Sequence, residues 1–222
     1  MEALLGHGAQ YKVYDLGDRV KKVPNTFEEA VAVLLRWGYS RIETTQEIEQ
    51  RAIELLKQRD QAVQFFRQRS IDLSLLGNPV FQEDGSYLQD RVTALGAYLH
   101  DASKGDDVSQ SGLVSRAHSI IDRYIDALYA HWNNGFADIV YNVTANNGVT
   151  DDGHVILFDF GEMAFSKERV AHDIHEERWT RSWSFTRDKN LKGVKGYYAQ
   201  QMAQRVTLEQ FEHYWHDAPL SV

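Results

Sequence analysis

The stretch Ile156-Leu157-Phe158-Asp159-Phe160-Gly161 decides how the rest of the chain is read. An apolar run that ends in a carboxylate and passes into Phe-Gly describes a short buried strand delivering an aspartate to an edge. An acid placed there is suited to hold a metal at the rim of a cleft. Asn146 stands thirteen residues earlier, where it opens the first strand of a hairpin. Asn146-Asn147-Gly148-Val149 and His154-Val155-Ile156-Leu157-Phe158 flank the turn Asp151-Asp152-Gly153. Amide and carboxylate oxygens are hard ligands of the kind Mg²⁺ takes, so Asn146 and Asp159 are the candidate metal ligands. A lone Asp-Phe-Gly is only a turn after a strand, and its weight comes from what precedes it.

The N-terminal residues Leu5-Gly6-His7-Gly8-Ala9-Gln10-Tyr11-Lys12-Val13 carry two glycines. Without side chains, Gly6 and Gly8 let backbone N–H groups come close to a phosphate. Tyr11–Leu16 and Arg19–Val23 alternate on either side of Gly17-Asp18, a hairpin signal, and Pro24 closes the second strand. Strand parity puts Val20 and Lys22 on one face and Lys21 on the other. Lys22 is therefore the lysine expected to point into a cleft as a point charge for phosphate.

Between these ends the chain reads as helices and short strands. Thr26-x-x-Glu29 and Thr44-x-x-Glu47 are capping boxes. The first helix is expected to run to about Trp37, and the second carries Ile48, Ala52, Leu55, Leu56, Val63 and Phe66 at helical spacing. Strands follow at 78–81 and 86–92, around Glu83-Asp84-Gly85. The polar run Asp101–Ser111 is a loop. Val114, Ala117, Ile121, Tyr124, Ile125, Leu128 and Trp132 form the stripe of a helix over about 112–132, stopped by Asn133-Asn134-Gly135. Helices are expected at about 169–183, 191–206 and 207–216. This order is α+β, not alternating βαβ.

Composition removes several classes. The 222 residues include 32 acidic and 24 basic side chains, a net charge of −8. A general nucleic-acid binder needs a basic face, so nucleic acid is not an expected partner. With no cysteine, disulfides, zinc-thiolate sites and thiol catalysis are excluded. No run of about 18 apolar residues exists, so no membrane span is expected. The N-terminus lacks a basic region and a long apolar region, so no signal peptide is expected. A cytoplasmic protein fits, with delivery as a secreted effector left open. His172 and His175 lie three apart on a helix but lack a third ligand nearby. The aromatic residues between Trp179 and Trp215 read as core of a helical region rather than as a substrate platform.

Taken in order, the Gly-rich hairpin, strand lysine, helices, two strands into a hinge, long helix, Asn-led hairpin and Asp-Phe-Gly resemble the protein-kinase-like superfamily. That superfamily includes small-molecule kinases of the aminoglycoside-phosphotransferase type. Val13–Pro24 is especially similar to its second and third strands, and the resemblance covers roughly residues 4–165. It implies two lobes: residues 1–92 with the Gly-rich hairpin and nucleotide-binding sheet, and residues 93–222, mostly helical, with the metal-binding hairpin. It implies ATP and Mg²⁺ as cofactors and transfer of a phosphoryl group to a hydroxyl of a protein or small molecule. Gly6 and Gly8 would cradle phosphates, Lys22 would contact the α/β-phosphates, and Asn146 and Asp159 would hold Mg²⁺. The backbone of Gln89, Asp90 and Arg91 would lie beside the adenine.

Three departures stand out. Tyr11 replaces the third glycine. The His-Arg-Asp triplet is absent: an ungapped count puts Tyr141 at its aspartate, a one-residue shift puts Asn142 there, and the nearest acid is Asp138. Asp138 is therefore the candidate catalytic base beside Lys22 and Asp159. The helix glutamate that pairs with the lysine is open among Glu29, Glu47, Glu49 and Glu54. A nucleotide-binding or interaction module without turnover is the alternative reading, and transfer of a group other than phosphate is a third.

Overall fold

The computed structural model describes residues 2–102 and 111–221. It is an α+β molecule with a sheet-rich N-terminal part and a mostly helical remainder. Ten short strands are described: β1 Ala3–His7, β2 Tyr11–Asp15, β3 Arg19–Pro24, β4 Val80–Phe81, β5 Tyr87–Asp90, β6 Thr93–Ala94, β7 Ala137–Asp138, β8 Asn147–Val149, β9 Val155–Leu157 and β10 Met163–Ala164. The first five form one antiparallel sheet in the order β1-β2-β3-β5-β4. The β2–β3 turn needs a left-handed residue, and Gly17 supplies it at φ +96°. Within β3, Val20 and Lys22 are buried, while Lys21 is partly exposed on the other face and reaches Glu2.

Both capping boxes start their helices as written. Thr26 caps α1 (Phe27–Arg36) and Thr44 caps α2 (Thr45–Gln68), each with its N3 glutamate reaching back. The two helices pack together over Ala30, Val33, Leu34, Ile48 and Ala52. From α2, Ala62 and Phe66 enter an aromatic cluster with Tyr11, Tyr87, Phe136 and Phe160.

The remainder is built on α4 (Ser111–Asn133). Its stripe packs against α3 (Leu95–Ala102), α8 (Lys195–Arg205) and α9 (Leu208–Tyr214) in the largest core cluster. Trp132, Tyr198, Phe211 and Trp215 are buried there, so these aromatics are core. Trp183 is exposed. The three-stranded sheet β6-β8-β9 and the pair β7–β10 complete the architecture.

Several boundaries differ from expectation. Asn146 does not open a strand; it ends a short helix, α5 (Val143–Asn146), and β8 begins one residue later. The helix expected at 169–183 is α6 (Lys167–His175), a 3₁₀ turn over Arg178–Arg181 and α7 (Trp183–Thr186). Glu177 at φ +46° breaks the run, and Ser182 caps a new turn. Helix α3 was not expected, because its eight residues are too few to show a clear period. The expected loop at 101–111 lies mostly outside the described residues; Asp101 and Ala102 end α3, and Ser111 opens α4. Among the described residues no helix is long and apolar enough to cross a membrane.

Candidate active site

A cleft of about 410 Å³ opens between the first sheet, α1–α2 and the segment around α5 and β9. Four separated stretches bring Gly8, Lys22, Asn146 and Asp159 to its wall. The reason they converge is local. The backbone N–H groups of Phe158 and Asp159 both donate to the Asn146 carbonyl, at 2.9 and 3.1 Å. Phe160 is buried, stacked on Tyr87 and edge-on to Phe66. That anchor holds the strand end and leaves Asp159 facing the cleft.

Lys22 is 4% exposed. Its Nζ donates to the Phe158 carbonyl at 2.5 Å and lies 5.4–6.0 Å from the ring centres of Tyr11, Tyr87, Phe158 and Phe160. Burial pushes its pKa down, and the Asp159 carboxylate opposes that shift. None of the four candidate glutamates meets it. Glu29 pairs with Lys12 at 2.7 Å, Glu47 caps α2, Glu54 accepts from Gln58, and Glu49 has no partner among the described residues. Instead α2 turns Arg51 and Leu55 toward the cleft. Arg51 is held by Glu43 at 3.1 Å and lies over Tyr39. Glu162, just past Asp-Phe-Gly, also lines the cleft. Burial and Asp159 push its carboxyl up, against a lowering effect of Arg51. The one signal of Arg51 in the sequence is its place one turn before Leu55 on the apolar side of α2.

The two loop glycines behave differently from Gly161. A Cβ at Gly6 would meet nothing within 4 Å, and one at Gly8 only the Tyr11 carbonyl at 3.8 Å. Packing within the chain does not demand glycine at either site, and Gly6 is not part of the cleft wall. At Gly161 a Cβ would fall 1.5 Å from Gln10 Oε1. Gln10 Nε2 donates to the Leu55 and Gly161 carbonyls at 2.8 and 3.1 Å, tying the hairpin turn to α2 and to Asp-Phe-Gly.

The structure does not bring Gln89, Arg91 or Asp138 into this cleft. Gln89 is buried, with Nε2 on the Leu76 carbonyl. The Asp90 and Arg91 N–H groups are taken by the Gly77 and Asp18 carbonyls at 2.8 and 3.0 Å. The Arg91 side chain pairs with Asp15 on the outer surface. Asp138 is 1% exposed and paired opposite Met163 in the β7–β10 ladder. Its Oδ1 accepts the Val140 N–H at 2.9 Å, and its Oδ2 is buried without a partner. Burial pushes its pKa up to about 7. Tyr141 and Asn142, the two residues at the aspartate position, part ways. Tyr141 adopts φ +49° and sends its ring into the core, so the next residue, Asn142, reaches the cleft.

A divalent cation fits the donor set in part. Asn146 and Asp159 offer an amide and a carboxylate oxygen, and no hydrogen bond among the described residues ties down either side chain. Among the described residues no group of three His, Cys, Asp or Glu gathers as a metal cage. Mg²⁺ commonly takes one or two protein oxygens and completes its shell with phosphate oxygens and water. The pair suits that mode and no closed cage.

No family model and no curated protein matches the chain. Among solved structures, a crystal structure of WbdD aligns over 92% of this chain and 43% of that one, at 14% identity and a TM-score of 0.41. A complex of WbdD with a kinase inhibitor aligns over the same shares at 16% identity and a TM-score of 0.37. The chain spans less than half the length of these neighbours. The site is therefore read from its own geometry.

Proposed function

We propose that this chain is an atypical kinase-like phosphotransferase that binds Mg-ATP in the cleft and transfers a phosphoryl group to a hydroxyl. The observation that carries the reading is the convergence of Gly8, Lys22, Asn146 and Asp159 on one cleft from four stretches of chain. In this reading residues 1–92 form the lobe above the nucleotide and residues 93–222 the lobe below it. The open space around Gly6 and Gly8 leaves room for phosphate oxygens to approach backbone N–H groups. Lys22 supplies a cation to the phosphates. Asn146 and Asp159 hold Mg²⁺, which neutralises charge on the phosphates when bound. Phosphoryl transfer relies mainly on positioning and charge neutralisation, so these parts suffice for turnover without a strong base.

A second reading, nucleotide binding without turnover, is favoured by one specific observation. Of the loop residues weighed as the base, Asn142 faces the cleft and the carboxylate of Asp138 lies away from it. Thermal-shift titration with ATP, with and without Mg²⁺, tests binding for both readings. Intact-mass spectrometry after incubation with Mg-ATP, together with ADP release, separates them. No shift at millimolar nucleotide would overturn both.

A further inference from the structure

Asn142 is held by a buried polar chain that leads away from the cleft. Ser184 Oγ lies 2.7 Å from Asn142 Oδ1 and 3.0 Å from Thr144 Oγ1, and it accepts the Thr144 N–H at 3.3 Å. Thr144 Oγ1 in turn donates to Asp188 Oδ2, while Asp188 Oδ1 accepts the Asn190 N–H at 2.8 Å. Thr144, Ser184 and Asp188 are all buried, so each hydrogen in this chain needs a definite acceptor.

The protons can be counted. With Asp188 as a carboxylate, the Thr144 hydroxyl proton goes to Asp188. The Ser184 hydroxyl then has one proton and two oxygens, Thr144 Oγ1 and the Asn142 amide, competing for it. If Asn142 offers Oδ1, that proton goes to Asn142 and the 3.0 Å Thr144–Ser184 contact holds no hydrogen. If the amide is turned over, with nearly the same shape and the opposite sense, every contact is filled. Asn142 Nδ2–H donates to Ser184, Ser184 donates to Thr144, and Thr144 donates to Asp188.

We infer that Asn142 gives its amide N–H to Ser184 and presents Oδ1 to the cleft, where it accepts a hydrogen bond from the hydroxyl that receives the phosphoryl group. The role rests on the phosphotransferase reading; the orientation does not. Ser184, Thr144 and Asp188 are then positioning residues that act through Asn142. In the transfer, the acceptor oxygen forms its bond to the γ-phosphorus as the bond from that phosphorus to the β,γ-bridging oxygen breaks, releasing ADP. The hydroxyl proton passes to a non-bridging oxygen of the transferred group and then to solvent. Asn142 keeps its own protons throughout. It orients the nucleophile and does not deprotonate it, which suits a loose transition state.

Two measurements on the full chain test this. In the nucleotide-free protein, the Asn142 side-chain amide, identified by its loss in Asn142→Asp, should exchange with solvent at least tenfold slower than a free asparagine amide. Ser184→Ala should remove that protection. Exchange at the free rate in the wild type would overturn the orientation. With Mg-ATP, and water as acceptor, ADP release in Ser184→Ala should fall roughly tenfold or more in kcat, with KM for ATP within about twofold. Ser184→Thr should restore it. An unchanged kcat, or kcat and KM moving together, would overturn the positioning role. If Ser184→Ala does not fold, Thr144→Val breaks the same chain with little change of shape. If the wild type binds no Mg-ATP, the phosphotransferase reading and the role fall, and amide exchange still decides the orientation.

Discussion

Two aspartates twenty-one residues apart sit in opposite surroundings. Asp159 follows β9 by two residues and lines the open cleft, with no hydrogen bond among the described residues on its carboxylate. Asp138 lies in the core with one oxygen unpartnered among the described residues, and both His131 ring nitrogens are also buried there without partners. Free and facing a cleft, a carboxylate is available to a cation. Buried without a counter-charge, it is favoured in its neutral form, and it weighs on stability rather than chemistry. The difference shows that proximity along the chain says little about chemical role, because Asp138 lies within the buried strand β7 whereas Asp159 lies two residues past the buried end of β9.

The largest expected effect breaks the cleft side of that contrast. Asp159→Asn should abolish the Mg²⁺-dependent part of ATP stabilisation; the whole Mg-ATP stabilisation of the wild type is about 2.7 kcal/mol at a hundredfold excess over Kd. Thermal shift with and without Mg²⁺ reads it directly. A variant that keeps the wild-type Mg²⁺ response would make Asp159 a turn residue only.

Lys22→Met comes next. The variant removes a buried cation whose charge burial already disfavours, so ATP affinity should fall at least tenfold, a loss of about 1.4 kcal/mol. The apo protein should be no less stable. Isothermal titration and chemical denaturation check the two halves, and a strongly destabilised apo variant would mean that Lys22 serves mainly the fold.

The core side is probed by pH. Asp138 is raised from 3.8 to about 7, so between those values the unfolded chain has released a proton that the folded chain keeps. Stability from this group therefore falls as pH rises through that window and is level above it. His131 is lowered from 6.5 to about 3 by burial, and it acts in the opposite sense: stability falls as pH drops through that window. The two nearly cancel where the windows overlap. In Asp138→Asn the His131 slope stands alone, so the variant-minus-wild-type stability should climb by up to about 1.4 kcal/mol per pH unit between 3.8 and 7. Urea denaturation across that range measures it. ADP release by the same variant should stay within about threefold of wild type at pH 8. A hundredfold loss there would return Asp138 to the reaction as its base.

The smallest effect concerns the base of the nucleotide. The Asp90 and Arg91 N–H groups already have protein acceptors, so no free backbone donor is offered there to select adenine. ATP and GTP should bind within about threefold of each other by competition, a difference below 1 kcal/mol. A preference above thirtyfold would require that segment to let go of Gly77 and Asp18.

Residues close in sequence carried most of what could be read without coordinates. The capping boxes at Thr26 and Thr44, the Gly17 turn, the α4 stripe and the parity of Lys22 depend on spacings of two to four residues, which local backbone geometry enforces. The order of Gly8, Lys22, Asn146 and Asp159 was equally legible. What stayed hidden depends on where distant elements meet. No spacing rule says that α2 shows Arg51 to the cleft, that β7 buries Asp138, or that a left-handed Tyr141 turns Asn142 outward. Nor does any say that Ser184, forty-two residues on, should reach Asn142. The sequence by itself determined the N-terminal hairpin, the two capped helices, the α4 stripe and the ordered set of polar residues, because those follow from local periodicity and spacing. Only the tertiary structure decided which of those residues face the cleft and which are sealed in the core, because burial is set by packing between elements far apart in the chain.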